Sequence, residues 1–450
     1  MENMRGLLFF LLVFFSTINF SYAYELVLPK EKKTIVDTNY AFFVGKASNT
    51  EVMSINDEKV YVAPNGAFAH SIKLKDGENR IVVKSNFNTQ VYRFVKNPTP
   101  NSVKPQLIEF EPKIFLVKKD NTPIRKTPVD FGMNRLSHLF KDTYVVVNGE
   151  KGGFYRVYLT DKQEAWIAKE AVVEAKQLCE VPKFITVDNR LYKNASEHII
   201  RFTGNLPYSV EESEKEIVFK VYNPFVSEGS VYSLNIQKPK KYYYKTELKN
   251  GVYIFKVNEL TSPDDMTLKG LTVVVDAGHG GAENGAIGCL GDKEKDINLK
   301  IAQNLKDFLL ELGADVIMTR ECDAEISLDD RVKLAKDNSS PIFISIHLNS
   351  IGDVEMNLNK HKGTSVYYYN ENSKELADVM EDYVPKSINT RRDGVKQASF
   401  AVLRPTDYIG ILLEVAYMTN PNDSMIYREE GFAVETARAI AGALLEFVNK

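Results

Sequence analysis

The sequence predicts a multidomain chain in which all-β modules precede a single α/β domain, and three observations lead to that reading. At 450 residues the chain exceeds what one hydrophobic core serves, and a prior of about 150 residues per domain suggests about three. Up to about residue 260, short runs of alternating apolar and polar residues are separated by Asn-Gly and Asp-Gly turns, the mark of antiparallel β structure. After Ser262-Pro263 the pattern changes to short continuous apolar runs with helical stretches between them, as in a sheet buried on both faces. A composition 44% hydrophobic and 26% charged is that of a folding chain and argues against disorder. The net charge of −3 provides no basic field, which speaks against nucleic acid or an anionic membrane as a general partner.

Residues 1–23 read as a secretory signal peptide. Arg5 precedes the apolar run Gly6-Leu-Leu-Phe-Phe-Leu-Leu-Val-Phe-Phe15, and Ser21-Tyr22-Ala23 supplies the small residues of a cleavage site. The run falls short of the about 20 residues a membrane span needs and no second candidate follows, so a retained anchor is the lesser reading. No cysteine marks the cleavage point for lipidation. The chain is therefore expected to be exported, to the periplasm or to the cell wall and exterior, without a stable span after cleavage. Export permits disulfides, yet Cys179, Cys289 and Cys322 are too few to form a framework.

Residues 24–100 form the first expected module. Glu58-Lys-Val-Tyr-Val62 and Arg80-Ile-Val-Val-Lys84 alternate, with turns at Asn65-Gly66 and Asp76-Gly77, and the layout resembles an immunoglobulin-like β-sandwich of exported bacterial proteins. The proline-flanked linker Asn97-Pro-Thr-Pro-Asn-Ser-Val-Lys-Pro105 ends it. Residues 106–177 contain Thr143-Tyr-Val-Val-Val-Asn-Gly-Glu-Lys-Gly-Gly-Phe-Tyr-Arg-Val-Tyr-Leu159 and Ala165-Trp-Ile-Ala-Lys169. This resembles an SH3-like bacterial barrel, a type that on cell-wall enzymes commonly holds the wall. Trp166 is read as packing beneath a strand in preference to stacking on a ligand. Residues 178–262, with strands at Ile199-Ile-Arg-Phe202 and Glu216-Ile-Val-Phe-Lys-Val-Tyr222, read as a further β-rich segment that links the modules or targets the wall.

Residues 269–450 form the α/β domain. Its buried strands are read at Leu271–Asp276, Asp315–Thr319, Ile342–Ile346, Ser365–Tyr369 and Ile411–Val415. Ile297, Ile301, Leu305, Phe308, Leu309 and Leu312 share one helical face that stops at Gly313. A last helix spans about Glu430 to Asn449.

The chemistry gathers in this domain. His279 follows the first strand in Asp276-Ala-Gly-His-Gly-Gly281 and His347 follows a later one in Ser345-Ile-His-Leu-Asn349, so both imidazoles emerge at carboxyl ends of strands, where open α/β sheets place their sites. Glu294, just before the amphipathic helix, offers a carboxylate; Glu283 rivals it by proximity to His279. Two histidines and one carboxylate match a catalytic zinc set, because three protein ligands leave the fourth position open. Glu414 sits inside the apolar run Gly410-Ile-Leu-Leu-Glu-Val-Ala416, where a carboxylate must be paired, metal-linked or held for proton transfer. The plainer alternative is a buried ion pair with Arg320 or Arg404. His70, His138, His198 and His361 have no such context and read as structural.

Six phrases then occur in order: Val275-Asp-Ala-Gly-His-Gly-Gly281, Glu294-Lys-Asp-Ile-Asn-Leu299, Met318-Thr-Arg320, Ser327-Leu-Asp-Asp-Arg331, Phe343-Ile-Ser-Ile-His-Leu-Asn349 and Leu412-Leu-Glu-Val-Ala-Tyr-Met-Thr-Asn-Pro421. Together, over roughly Lys269 to Asn449, they resemble the zinc-dependent N-acetylmuramoyl-L-alanine amidase family 3. The resemblance implies a twisted sheet flanked by helices, Zn2+ held by His279, Glu294 and His347, and Glu414 as the catalytic glutamate; it decides for Glu294 over Glu283. It implies hydrolysis of the amide between N-acetylmuramic acid and L-alanine in peptidoglycan, for wall remodelling or daughter-cell separation, with cell-wall or divisome regulators as partners. The alternatives are another zinc hydrolase of the wall or a non-catalytic wall-binding protein. Ile409 stands where the family has proline and Ala416-Tyr417 where it has Gly-Phe, changes that touch the groove and leave every ligand in place. Between His347 and the Gly363 strand, Asn349–Lys362 is too short for the long blocking helix of some relatives.

Overall fold

The computed structural model describes residues 24–48, 51–86, 88–98, 104–175, 178, 180–226, 230–261 and 266–450. The expected signal peptide, Cys179 and the Ser262-Pro263 boundary lie outside them. In the first module, strands Tyr24–Leu28, Tyr40–Ala47 and Ala67–Lys73 form one sheet, while Lys33–Val36, Thr89–Lys96, Gly77–Lys84, Met53–Ile55 and Glu58–Val60 form a second. Alternate residues of both, among them Phe43, Phe68, Ile55, Ile81 and Phe94, share one core.

The strands from Ile108–Val117 to Val172–Glu174 form a seven-stranded sheet. Trp166 is buried within it, on a strand paired with Arg125 and Arg156 on its two sides, the packing position read from the sequence. Residues 184–259 add a four-stranded and a three-stranded sheet. Val145, Val157 and Ile167 belong to the same apolar cluster as Phe219, Tyr253 and Phe255, so the expected boundary at 177/178 divides strands while the core runs across it.

The α/β domain carries strands β1 (Thr272–Ala277), β2 (Asp315–Met318), β3 (Ile342–Asn349), β4 (Thr364–Tyr368), β5 (Arg392–Gln397) and β6 (Ile409–Tyr417). Its helices are α1 (Glu294–Glu311), α2 (Leu328–Asp337), α3 (Lys374–Ser387), α4 (Pro421–Tyr427) and α5 (Phe432–Asn449). The sheet order is β2-β1-β3-β6-β4-β5. β1, β2, β3 and β6 run parallel, and β4 lies antiparallel to β6. Successive side chains on a strand face opposite ways. Val273 and Val275 therefore pack with Ile301 and Leu305 of α1 and Ile440 and Leu444 of α5, while Val274 packs with Ala335 of α2 and Tyr408 on the other face. Burying one such aliphatic side chain contributes about 1.5–3 kcal/mol. Leu312 closes α1, and Gly313 follows at φ +88°, a left-handed stop suited to glycine. β5 escapes a sequence reading because Arg-Asp-Gly-Val-Lys-Gln has no apolar run.

The first module rests on this domain. Asp353, in the segment after β3, accepts from the backbone amides of Asn39 and Tyr40 at 2.7–2.9 Å. Tyr61 donates to Asn422 of α4 at 2.9 Å and Asn65 to Ser424 at 3.0 Å. Val44, Ala63, Ala67 and Ala69 share an apolar cluster with Cys289, Met356, Leu358 and Met425. Residues 350–362 contain no helix.

Candidate metal centre

β1 and β3 are neighbours in parallel register, Ala277 opposite Ile346, so His279, just past β1, and His347, which lies within β3 two residues before its end and not after it as the sequence suggested, arrive on one edge. His279 sits two residues beyond β1 at φ +61°, a left-handed conformation that costs a non-glycine residue about 1–3 kcal/mol and persists only where its surroundings enforce it. Those surroundings are identifiable. Arg331 of α2 donates to the carbonyls of Ala277 and His279 at 2.8 and 2.9 Å and pairs with buried Asp276. Arg320 donates to the carbonyls of Ala277 and Gly278 at 2.9 and 3.0 Å and to Lys295 at 2.8 Å. Asp276 also accepts from Thr319 at 2.8 Å and Ser345 at 2.6 Å.

Glu294 is the first residue of α1, one position further into the helix than the sequence suggested, and is buried. Its carboxylate receives the backbone amide of Ala286 at 2.7 Å and that of Leu348 at 3.1 Å. His279 Nε2 lies 3.2 Å from Glu294 Oε2 and His347 Nδ1 lies 2.9 Å from Oε1. Burial acts to raise the Glu294 pKa, but the two imidazoles outweigh it and hold the carboxyl well below the usual range. Burial likewise acts to lower the His347 pKa, and the hydrogen bond and charge of Glu294 raise it instead.

Two glycines give these groups room. A Cβ on Gly278 would lie 2.3 Å from the His347 ring, and one on Gly285, at φ +67°, would lie 2.4 Å from Glu294 Oε2 and 2.6 Å from His279 Cδ2. Neither distance is possible without displacing a ligand candidate.

The three donor atoms of His279, Glu294 and His347 all lie within 4.8 Å of one another. Two imidazole nitrogens and a carboxylate, with no cysteine, suit a metal ion that keeps an open position. Among the described residues no other histidine joins such a group. Glu283 stands 3.9 Å from the other nitrogen of His279 and is largely exposed; the structure brings Glu294, not Glu283, between the two rings. His198 bonds Asn189 and Ser196 at 2.7 and 3.0 Å.

Glu414 lies on β6 directly beside His347 of β3. Its Oε2 is buried without a hydrogen-bond partner among the described residues. Burial pushes its pKa up to about 7, opposed by the charge of His347 and aided by that of Glu294. The ion-pair alternative is not what the structure shows: Arg320 is spent on backbone carbonyls, and Arg404 donates to Ser399 at 2.9 Å. Asp276, Arg331, Gly278 and Gly285 were not assigned roles from the sequence, and Arg320 was offered only as an ion-pair mate of Glu414. All but Gly285 lie inside the ordered phrases that carry the resemblance, which was the signal available.

Comparison with known proteins bears on residues around this centre. A family model described as N-acetylmuramoyl-L-alanine amidase matches residues 273–446. The uncharacterized protein YqiI of Bacillus subtilis (strain 168) is 35% identical over 187 residues, 41% of this chain and 87% of that protein. The probable cell wall amidase LytH of Staphylococcus saprophyticus is 36% identical over 171 residues, 38% of this chain; the match spans only 55% of LytH. Among solved structures, the catalytic domain of CwlV, an N-acetylmuramoyl-L-alanine amidase from Bacillus (Paenibacillus) polymyxa var. colistinus, is 32% identical. It covers 40% of this chain and 98% of its own, at a TM-score of 0.38.

Proposed function

Because this chain belongs, through residues 273–446, to the N-acetylmuramoyl-L-alanine amidase family and is an enzyme of that class, we propose that it hydrolyses the amide joining N-acetylmuramic acid to L-alanine in peptidoglycan, with one zinc ion held by His279, Glu294 and His347. The observation that carries this reading is the convergence of those three donors within 4.8 Å, with Glu414 on the adjoining strand. When bound, zinc supplies a Lewis acid that polarises the scissile carbonyl and acidifies a water molecule. Glu414 takes the proton of the attacking water as its oxygen bonds to the carbonyl carbon. It returns that proton to the L-alanine nitrogen as the C–N bond breaks. A carboxyl with a pKa of about 7 serves as base and then acid near neutral pH.

Residues 1–23 export the chain, and the β modules, read as immunoglobulin-like and SH3-like, hold it against the wall during remodelling or daughter-cell separation. Among the described residues no helix is long and apolar enough to cross a membrane.

Mass spectrometry of digested peptidoglycan tests the reaction: a free lactyl carboxylate on muramic acid together with a new L-alanine amino terminus is expected, and a cut elsewhere in the stem overturns it. Metal analysis should find about one zinc per molecule, lost together with activity in His279→Ala and His347→Ala. Hydrolysis that survives chelation, in protein free of zinc, rejects the assignment.

A further inference from the structure

Three arginines meet where the second β segment packs on the α/β domain, apart from the metal centre. The contact there is close, since a Cβ on Gly132 would lie 2.4 Å from Ser399 Cβ. Arg125, with only 6% of its side chain exposed, donates from Nη2 to Asp130 Oδ1 at 2.6 Å. Its Nε and Nη1 are buried with no acceptor among the described residues. Arg135 places Nη1 3.4 Å from His138 Nε2 and leaves its own Nε buried and unmatched. Arg404 comes from the α/β domain and uses Nε and Nη2 on Ser399. The three are near enough to act on one another: burial first, then the charges of Arg404 and Arg125, lower the Arg135 pKa.

The charges do not balance. Among the described residues, Asp130 is the carboxylate acting on Arg135 and Arg404; Tyr369 also faces them, and burial raises its pKa, so it stays neutral. Lys336, which also acts on His138, is paired with Asp407 at 2.9 Å, and burial together with these cations pushes His138 down to about 3, so it stays neutral. Three guanidiniums against one carboxylate leave an excess of two positive charges. Partly buried charge without compensation is costly, so this joint calls for an anion.

We propose that Arg125, Arg135 and Arg404 form a phosphate-binding site at the joint between the second β segment and the α/β domain. A guanidinium presents a rigid fork of donors that matches two oxygens of an oxyanion. A carboxylate has two oxygens and a single charge, whereas a phosphate offers up to four oxygens and up to two charges, which suits three forks and the excess just counted. The phosphate is free in solution or, given the wall-directed activity proposed above, carried as a terminal phosphomonoester on a wall polymer.

Calorimetric titration and thermal unfolding of the full mature zinc-loaded chain test this, with inorganic phosphate, a glycerol phosphate oligomer ending in a phosphomonoester, and acetate as probes at constant ionic strength set by chloride. Saturable phosphate binding with a rise in Tm is expected. It should weaken at least tenfold in Arg135→Gln and in Arg404→Gln, both at partly exposed positions, and in Arg125→Lys, which keeps the charge and loses the fork. Tighter binding of the oligomer, with the same sensitivity to Arg135→Gln, identifies the polymer as the source; binding of inorganic phosphate alone identifies the free ion. No saturable binding of either phosphate probe by the unaltered chain, equal binding by the variants, or equal binding of acetate overturns the proposal. Muropeptide cleavage by Arg135→Gln in phosphate-free buffer should match the unaltered chain, so loss of the anion site and failure of the amidase reading are separable.

Discussion

Glu414 holds a buried oxygen without a partner among the described residues next to a histidine of the metal centre, and two outcomes follow from that placement. Glu414→Gln keeps the shape of the side chain and leaves His279, Glu294 and His347 intact, so zinc content should be unchanged while kcat falls by about 10² to 10⁴. A near-normal rate would make Glu414 structural, and loss of zinc would move it among the ligands. The second outcome concerns the metal-free protein. A folded carboxyl raised from 4.5 to about 7 binds its proton more tightly than the unfolded one. The stability it contributes is therefore complete below pH 4.5 and declines as pH rises towards 7, by roughly 3 kcal/mol in all. Denaturant titrations with chelator present should show that decline, and the difference between the chain and Glu414→Gln should account for it. Equal slopes in the two proteins would show that Glu414 titrates normally. The sequence disclosed Glu414 because a lone acid in an apolar run is conspicuous. It could not disclose Gly285, because a glycine before an acidic helix start resembles any turn until Glu294 Oε2 is found 2.4 Å from where its Cβ would be.

At the scale of elements, the loop after β1 is held by α2 and by the segment after β2. Arg331 spends its guanidinium on the carbonyls of Ala277 and His279 and on Asp276. Arg331→Ala strands a buried carboxylate and frees the loop together. A loss of about 3–5 kcal/mol is expected, measured by denaturant unfolding, with metal affinity falling as the His279 conformation relaxes. Stability within 1 kcal/mol of the unaltered chain would mean that Asp276 is held well enough by Thr319 and Ser345 alone. The amphipathic pattern from Ile297 to Leu312 gave α1 almost entire, since the 3.6-residue period of its buried face is written in the side chains. α3 carries an internal Pro385 and β5 is polar, so their places depend on neighbours and not on local pattern.

For the whole molecule, the first module covers a part of the α/β domain. It bonds Asp353 in the segment that leaves β3 and reaches α4, which follows β6. A chain reduced to residues 264–450 should retain the metal ligands and cleave soluble muropeptide while binding intact sacculi less well. It should also be less stable and more prone to associate, because Cys289, Met356, Leu358 and Met425 lose their apolar cover. Equal sacculus binding by the short and full mature forms would count against a wall-holding role for the modules, and an equal melting temperature against the docking. Asp353→Ala, which removes the acceptor of two backbone amides, isolates that contact with every module retained.

The sequence by itself determined the order of the segments, the buried strands and α1 through local period, Glu414 through the cost of a polar group in an apolar run, and His279, Glu294 and His347 as candidates through strand-end placement and the ordered phrases of the resemblance. Only the tertiary structure decided that the Glu294 carboxylate, the choice the resemblance had implied, reaches both imidazoles, that Arg320 and Arg331 grip the β1 loop, and that the modules dock and share cores across expected boundaries. Those facts rest on contacts between residues far apart in the chain. No local pattern encodes them, since the same charged or apolar side chain is equally at home in solvent, in a neighbour's groove or over a backbone carbonyl until the fold brings one of these within reach.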